Sequence, residues 1–269
     1  MNNNTLLVSK NEIKHLLENT NENELSKIFL QSLREAFIVT TKHMIVNLFY
    51  TIKALVDLSI ITAKYLKELL SLRNPLRIKD KLLDDAKKLK DTIILRIKAL
   101  KSVWDGMTFE QRKESISDFL IIVLSALVFG GGFDFEGGLP DTDLKVSAGY
   151  HRNIFSHTIL IGFTFELALR FMYHLLIHLE NKGIYIQNKF LKSFVEFFKT
   201  KQDKIISGIW LGLFIHFLKD ANLLSARTKP YSDINGLTMN QHKAIFASNA
   251  LLSAIFAIEI NKNENINEH

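Results

Sequence analysis

Asp141 and Asp143 stand directly behind Pro140, and His151 and His157 follow within the segment HRNIFSHTIL. Carboxylate oxygens and neutral imidazole nitrogens are ligands for divalent ions, so two pairs this close in sequence can converge on the same metal. A third element, His216-Phe-Leu-Lys-Asp220, lies in the apolar run IISGIWLGLFIHFLKD. Residues four apart share one helix face. An Asp one turn from a His in so apolar a setting is costly to bury unless something such as an ion compensates it. Asp141, Asp143, His151, His157, His216 and Asp220 are therefore expected to hold a divalent metal.

Around these six stand residues that could act on a substrate. Arg152 could bind a phosphate through both arms of its guanidinium, or serve only to orient Asp141 or Asp143 as an ion pair. Asp233 and His242 are candidates for proton transfer, and Lys229 and Tyr231 for substrate contact. The bland readings compete with each of these. Asp-x-Asp is common in solvated turns, a lone His is more often a satisfied core residue, and His242 could merely open the helix 242–258. His174 and His178 are also four apart, but FMYHLLIHLENKG reads as a polar stripe near a helix end.

The scaffold that must position these residues is expected to be all-α, a multi-helix bundle with its metal site in the C-terminal half. Only three prolines and twelve glycines occur in 269 residues, whereas Leu, Ile, Lys and Phe are abundant, a composition suited to long helices. Ser9 with Glu12, and Thr108 with Gln111, have capping-box form. The apolar spacing from about Glu24 to Leu72 is helical and ends at Asn74-Pro75. Between Ile78 and Val103, Leu82, Ala86, Leu89, Ile93, Ile97 and Leu100 recur every three or four positions among Lys, Arg and Asp, an amphipathic basic helix. Such a helix either rests on an anionic membrane surface or packs in a bundle with a solvated outer face. Residues 130–149 then hold six of the twelve glycines and Pro140, which marks a tight connection or a binding loop. The chain divides into a basic helical region, 1–118, a metal-bearing helical domain, 119–260, and a polar tail, 261–269.

With no cysteine in the chain, disulfides and thiolate catalysis are excluded and any metal must rest on nitrogen and oxygen. The net charge of +6 leans weakly toward anionic partners. The polar N-terminus lacks the pattern of a cleaved export signal. Phe119–Phe133, Ile205–Leu218 and Ala244–Ile258 are the longest uncharged runs, and all fall short of the ~20 residues of a spanning helix. The segment Ile154–Leu179 is longer, because its only charged residues, Glu166 and Arg170, are four apart and could neutralise each other. Membrane association, peripheral or integral, is expected; the alternative is a cytoplasmic protein.

The order GGLPDTD, HRNIFSHTIL, HFLKD resembles the YdjM-like family of membrane-bound, metal-dependent hydrolases, described as LexA-binding and inner-membrane-associated. That family shows L-P-D-x-D, H-R-x-x-T-H-S and H-x-x-x-D in the same order. The likeness spans about residues 128–220 and departs once: His151 to His157 is an interval of six where the family has five. The resemblance implies that Asp141, Asp143, His151, His157, His216 and Asp220 bind metal. It also implies distant similarity to zinc-dependent phospholipase C, and hence phosphoester substrates.

The resulting expectation is hydrolysis of a phosphoester, with phospholipid as one candidate, by water activated on one to three divalent ions, Zn2+ first among them. Nucleic acid is left open as a partner. Two other classes fit the same residues: a membrane-associated binding or regulatory protein with a structural metal, and a membrane-disrupting effector without catalysis.

Overall fold

The structure is a computed structural model, and it describes residues 14, 18, 20–72, 74–133, 137–141, 152–184, 188–223 and 230–258. It is all-α, with seven α-helices and no strand among the described residues. They are α1 (Glu22–Arg34), α2 (Thr40–Ser71), α3 (Pro75–Gly106), α4 (Phe109–Gly130), α5 (Ile159–Asn181), α6 (Lys189–Ala221) and α7 (Met239–Ala257). A π-helical turn, Glu35–Val39, joins α1 to α2. The apolar run read from sequence as continuous from Glu24 is thus interrupted there.

Side chains that satisfy free backbone amides set most helix starts. Asn74 accepts from Leu76 N–H with Pro75 opening α3, where a missing N–H costs nothing. Thr108 and Gln111 bond reciprocally at 2.8 and 3.3 Å ahead of α4. Thr238 and Gln241 form the same box ahead of α7. That box starts α7 at Met239 and leaves His242 inside the first turn, where the sequence reading had it open the helix. The Ser9/Glu12 box lies outside the described residues.

Contacts divide the chain into two units: Met1–Ile45 with Asp118–His269, and Val46–Ser117. The first has a core built on α6, where Ile206, Ile209, Trp210, Leu213 and Phe217 pack with Ile161 of α5 and Ala250 of α7. Trp210 lies 4.4 Å from Phe256 and 5.4 Å from Phe163, centroid to centroid. Buried Glu166 accepts from Trp210 Nε1 at 2.8 Å and from Arg170 at 2.7–2.8 Å. The carboxylate and guanidinium four residues apart on α5 do pair. α5 is also the one helix, among the described residues, long and apolar enough to cross a membrane by length and composition. α1 packs on α5, with Glu35 accepting from His174 Nε2 at 2.9 Å and Glu24 from Lys182 at 2.6 Å. His174 and His178 therefore belong to a polar seam between these helices.

Gly208 and Gly212 let α6 approach the C-terminal half of α4. A Cβ at Gly208 would sit 2.5 Å from the Ile122 carbonyl oxygen, and one at Gly212 2.5 Å from that of Ala126. In the second unit α2 and α3 meet where Lys81 of α3 bonds Glu68 at 2.8 Å and lies over the Tyr65 ring. No described residue of 46–117 is buried.

Because backbone cannot yield at the α4–α6 seam, Gly212→Ala should cost about 1–3 kcal/mol of stability. Chemical denaturation would show this as a lowered midpoint, whereas a substitution such as Gly183→Ala, with open space around its Cβ, should act only through its positive φ.

Candidate metal centre

Pro140 and Asp141 end a glycine loop that folds back on α4. Leu139 N–H bonds the Phe129 carbonyl at 3.0 Å. Gly138 has φ +77°, and any Cβ there would collide with Gly131, so only glycine serves. Gly137 N–H donates to Asp141 Oδ2 at 2.6 Å, leaving Oδ1 to face His157 Nε2 at 3.2 Å. His157 is fully buried in the turn before α5, with its carbonyl held by the Tyr231 hydroxyl at 2.7 Å. His216 and Asp220 enter from the last turns of α6, both buried.

The orientation of each imidazole follows from its other nitrogen. His216 Nδ1 faces the Gly130 carbonyl at 3.1 Å, an acceptor only, so Nδ1 carries the hydrogen. Ser156 donates its single hydroxyl proton to the Asn153 carbonyl. The Ser156 hydroxyl also lies 2.8 Å from His157 Nδ1 and so fixes the rotation of that ring. In the neutral His216 ring the Nε2 lone pair therefore points inward, beside the Nε2 of His157. There they meet carboxylate oxygens: His216 Nε2 is 3.4 Å from Asp220 Oδ2 and 3.9 Å from Asp141 Oδ1, and His157 Nε2 is 3.7 Å from Asp220 Oδ2. His216 Nε2 and Asp220 Oδ2 are buried with no hydrogen-bond partner. Acceptors turned on acceptors in a buried site require a cation or a proton between them. Asp141, His157 and His216 could hold a metal ion, each offering one donor atom within 4.8 Å of the others.

Arg152, at φ +65°, bonds Asp220 Oδ1 at 2.6 Å and stacks its guanidinium 5.7 Å from the Phe246 ring centroid. It is an ion-pair partner of Asp220, not of Asp141. Asp233 accepts from Ile154 N–H at 3.0 Å with both oxygens and so ties down the loop that carries Arg152. His242 is buried, and its Nδ1 accepts from Tyr231 N–H at 3.3 Å. Tyr231 is itself buried, stacked on Phe246. Asp143, His151 and Lys229 lie outside the described residues. Comparison with family models, curated proteins and solved structures finds no match.

Three supporting groups have no distinctive mark in the sequence: the Gly130 carbonyl, the Gly137 amide and the Ser156 hydroxyl. Only the glycine cluster at 130–138 hints at the first two.

Burial alone would raise the Asp141 carboxyl and lower the His216 imidazole. For Asp141 the His157 and His216 rings and the Gly137 amide prevail, holding it at about 2. For His216 the facing Asp220 and Asp141 carboxylates and the Gly130 carbonyl prevail, raising it above its ordinary value. Without metal, the contacts of His216⁺ stabilise the fold below its unfolded pKa of about 6.5 and lose that effect as pH rises through the raised folded value. Asp141 acts oppositely, its contribution present above about pH 4 and lost as pH falls toward 2. Urea unfolding in chelator should therefore show stability declining as pH rises above about 6.5, a decline absent from His216→Gln. With a bound divalent ion the slope should reverse, because metal and proton compete for the same nitrogens.

Proposed function

We propose that the protein is a metal-dependent hydrolase whose ion is held by Asp141, His157, His216 and Asp220. The observation that carries the metal reading is the pair of orphaned buried acceptors, His216 Nε2 and Asp220 Oδ2, facing each other at 3.4 Å. Zinc bonds of about 2.0–2.2 Å in tetrahedral geometry separate neighbouring ligands by about 3.3–3.6 Å. Four of the six donor separations are 3.2, 3.4, 3.7 and 3.9 Å, within a few tenths of an ångström of that spacing. Nitrogen and oxygen donors without sulfur suit Zn2+ and admit Mn2+. The YdjM-like resemblance adds Asp143 and His151, outside the described residues, as further ligands.

The assignment to hydrolysis rests on the likeness of L-P-D-T-D, H-R-N-I-F-S-H and H-F-L-K-D to the YdjM-like motifs. A divalent ion supplies Lewis acidity and lowers the pKa of water to about 7. The chain's own residues do the rest. Gly130 and Ser156 hold the two imidazoles with their donor nitrogens inward, and Gly137 fixes the rotation of Asp141. Arg152 neutralises Asp220 at rest and has the guanidinium fork to offer a phosphoryl oxygen two parallel hydrogen bonds. Phosphoesters are accordingly the substrate class favoured here.

A structural metal is the second reading, favoured by the same four donors, which would saturate a tetrahedral ion. Elemental analysis of purified protein should find a divalent metal in wild type. His216→Ala should lower affinity by more than the about 10–100-fold expected from disturbing an outer partner such as Ser156. Turnover of a chromogenic phosphodiester that chelator abolishes and Zn2+ or Mn2+ restores would establish the enzyme. Stoichiometric metal with no turnover would leave the structural reading standing, and protein that never takes up a divalent ion would end both.

A further inference from the structure

The unit Val46–Ser117 carries fifteen Lys and Arg against nine Asp and Glu, a surplus of six. The whole chain's formal charge is also +6, so the remaining residues are balanced and the entire excess sits on these helices. No described residue among them is fully buried. Leu89, Ile97 and Leu100 of α3 are 62%, 58% and 70% exposed, levels at which large apolar side chains normally meet a partner when they are contiguous.

Position around α3 says what that partner must be. At about 100° per residue, Leu82, Leu89, Ile93, Ile97, Leu100 and Trp104 fall within an arc of roughly 80°. Asp80, Asp84, Asp91 and Asp105 fall within an arc of roughly 60° on the far side. Lys79, Lys90 and Lys101 line one border of the apolar arc, and Arg96 with Asp85 the other. Lys81 and Lys88, near the acidic side, are paired with Glu68, Asp84 and Asp85. None of Lys79, Lys90 and Lys101 pairs with a carboxylate among the described residues.

We propose that α3 docks lengthwise on an anionic lipid bilayer, its apolar arc in the acyl boundary and its bordering lysines on the headgroup phosphates. Long lysine stems beside an apolar stripe reach outward to such charges. A nucleic-acid backbone would engage the lysines and leave the Leu and Ile stripe in water. A second copy packed on the same stripe would set one row of lysines against another.

Co-sedimentation of the full chain with vesicles tests this, comparing phosphatidylcholine alone with phosphatidylcholine containing one third phosphatidylglycerol. Binding is expected to the anionic vesicles only and to weaken with salt. The triple change Lys79→Gln, Lys90→Gln, Lys101→Gln should lower it on the order of 100-fold, since each lysine near such a surface contributes about fivefold. Leu89→Ser with Ile93→Ser and Ile97→Ser should abolish it, with far-UV circular dichroism unchanged because these side chains are exposed. Equal binding to both vesicles, or none, overturns the proposal. So does a concentration-dependent dimer that the serine variant dissolves, or duplex DNA binding that the serine variant retains.

Discussion

His216 Nε2 and Asp220 Oδ2, both acceptors while the imidazole is neutral, face each other out of water at 3.4 Å beside Asp141 and His157. This arrangement is unfavourable by itself, and the rest of the metal-bearing unit is organised to keep it. Imidazoles free to turn would present N–H to carboxylate and relieve the conflict. At His216 this is prevented, because the Gly130 carbonyl already holds the Nδ1 hydrogen. The raised imidazole of His216 and the lowered carboxyl of Asp141 record the same tension when no metal relieves it.

The constraint propagates outward through helix packing. Gly130 can reach His216 only because α4 lies against α6, and that approach needs the bare Cα atoms of Gly208 and Gly212. His216 follows Gly212 by one turn, so the close packing and the imidazole's hydrogen bond belong to one seam. On the opposite side of α6, Trp210 is tied by Glu166 to α5. Glu166 and its partner Arg170 on α5 thereby face protein. The loop after α6 returns through Tyr231, whose hydroxyl holds the His157 carbonyl. Asp220 is turned inward by Arg152 on its other oxygen.

Much of this was legible from residue types alone. Helical class followed from scarce Gly and Pro, and the cap at Thr108 from side chains that can satisfy amides, whereas Asn74-Pro75 was read only as the end of the run before it. His216 and Asp220 could be paired because four residues close one helical turn. His157 could be named, although its interval from His151 departs from the YdjM-like spacing, and the structure places it at the heart of the group. Tyr231, read as a substrate contact, instead holds the His157 backbone, since burial of an aromatic ring depends on a partner, Phe246, that spacing does not reveal. The backbone groups at Gly130 and Gly137 were illegible because a carbonyl or amide carries no sequence signature. The interruption at Glu35–Val39 was likewise hidden: apolar spacing continues through it, and only the pairing of Glu35 with His174 distinguishes it.

The division of the chain has a kinetic corollary. Residues 46–117 are inserted between two pieces of the metal-bearing unit, so Glu35 must find His174 across 139 positions of chain. Loop-closure entropy rises with that separation and is met before the contact stabilises anything. Asp141 to Phe246, by contrast, is one continuous stretch containing all four donors. The centre and its α6–α7 support can therefore form early, with α1 added last as a clasp on α5. Local opening of that clasp would leave the acceptor cluster assembled.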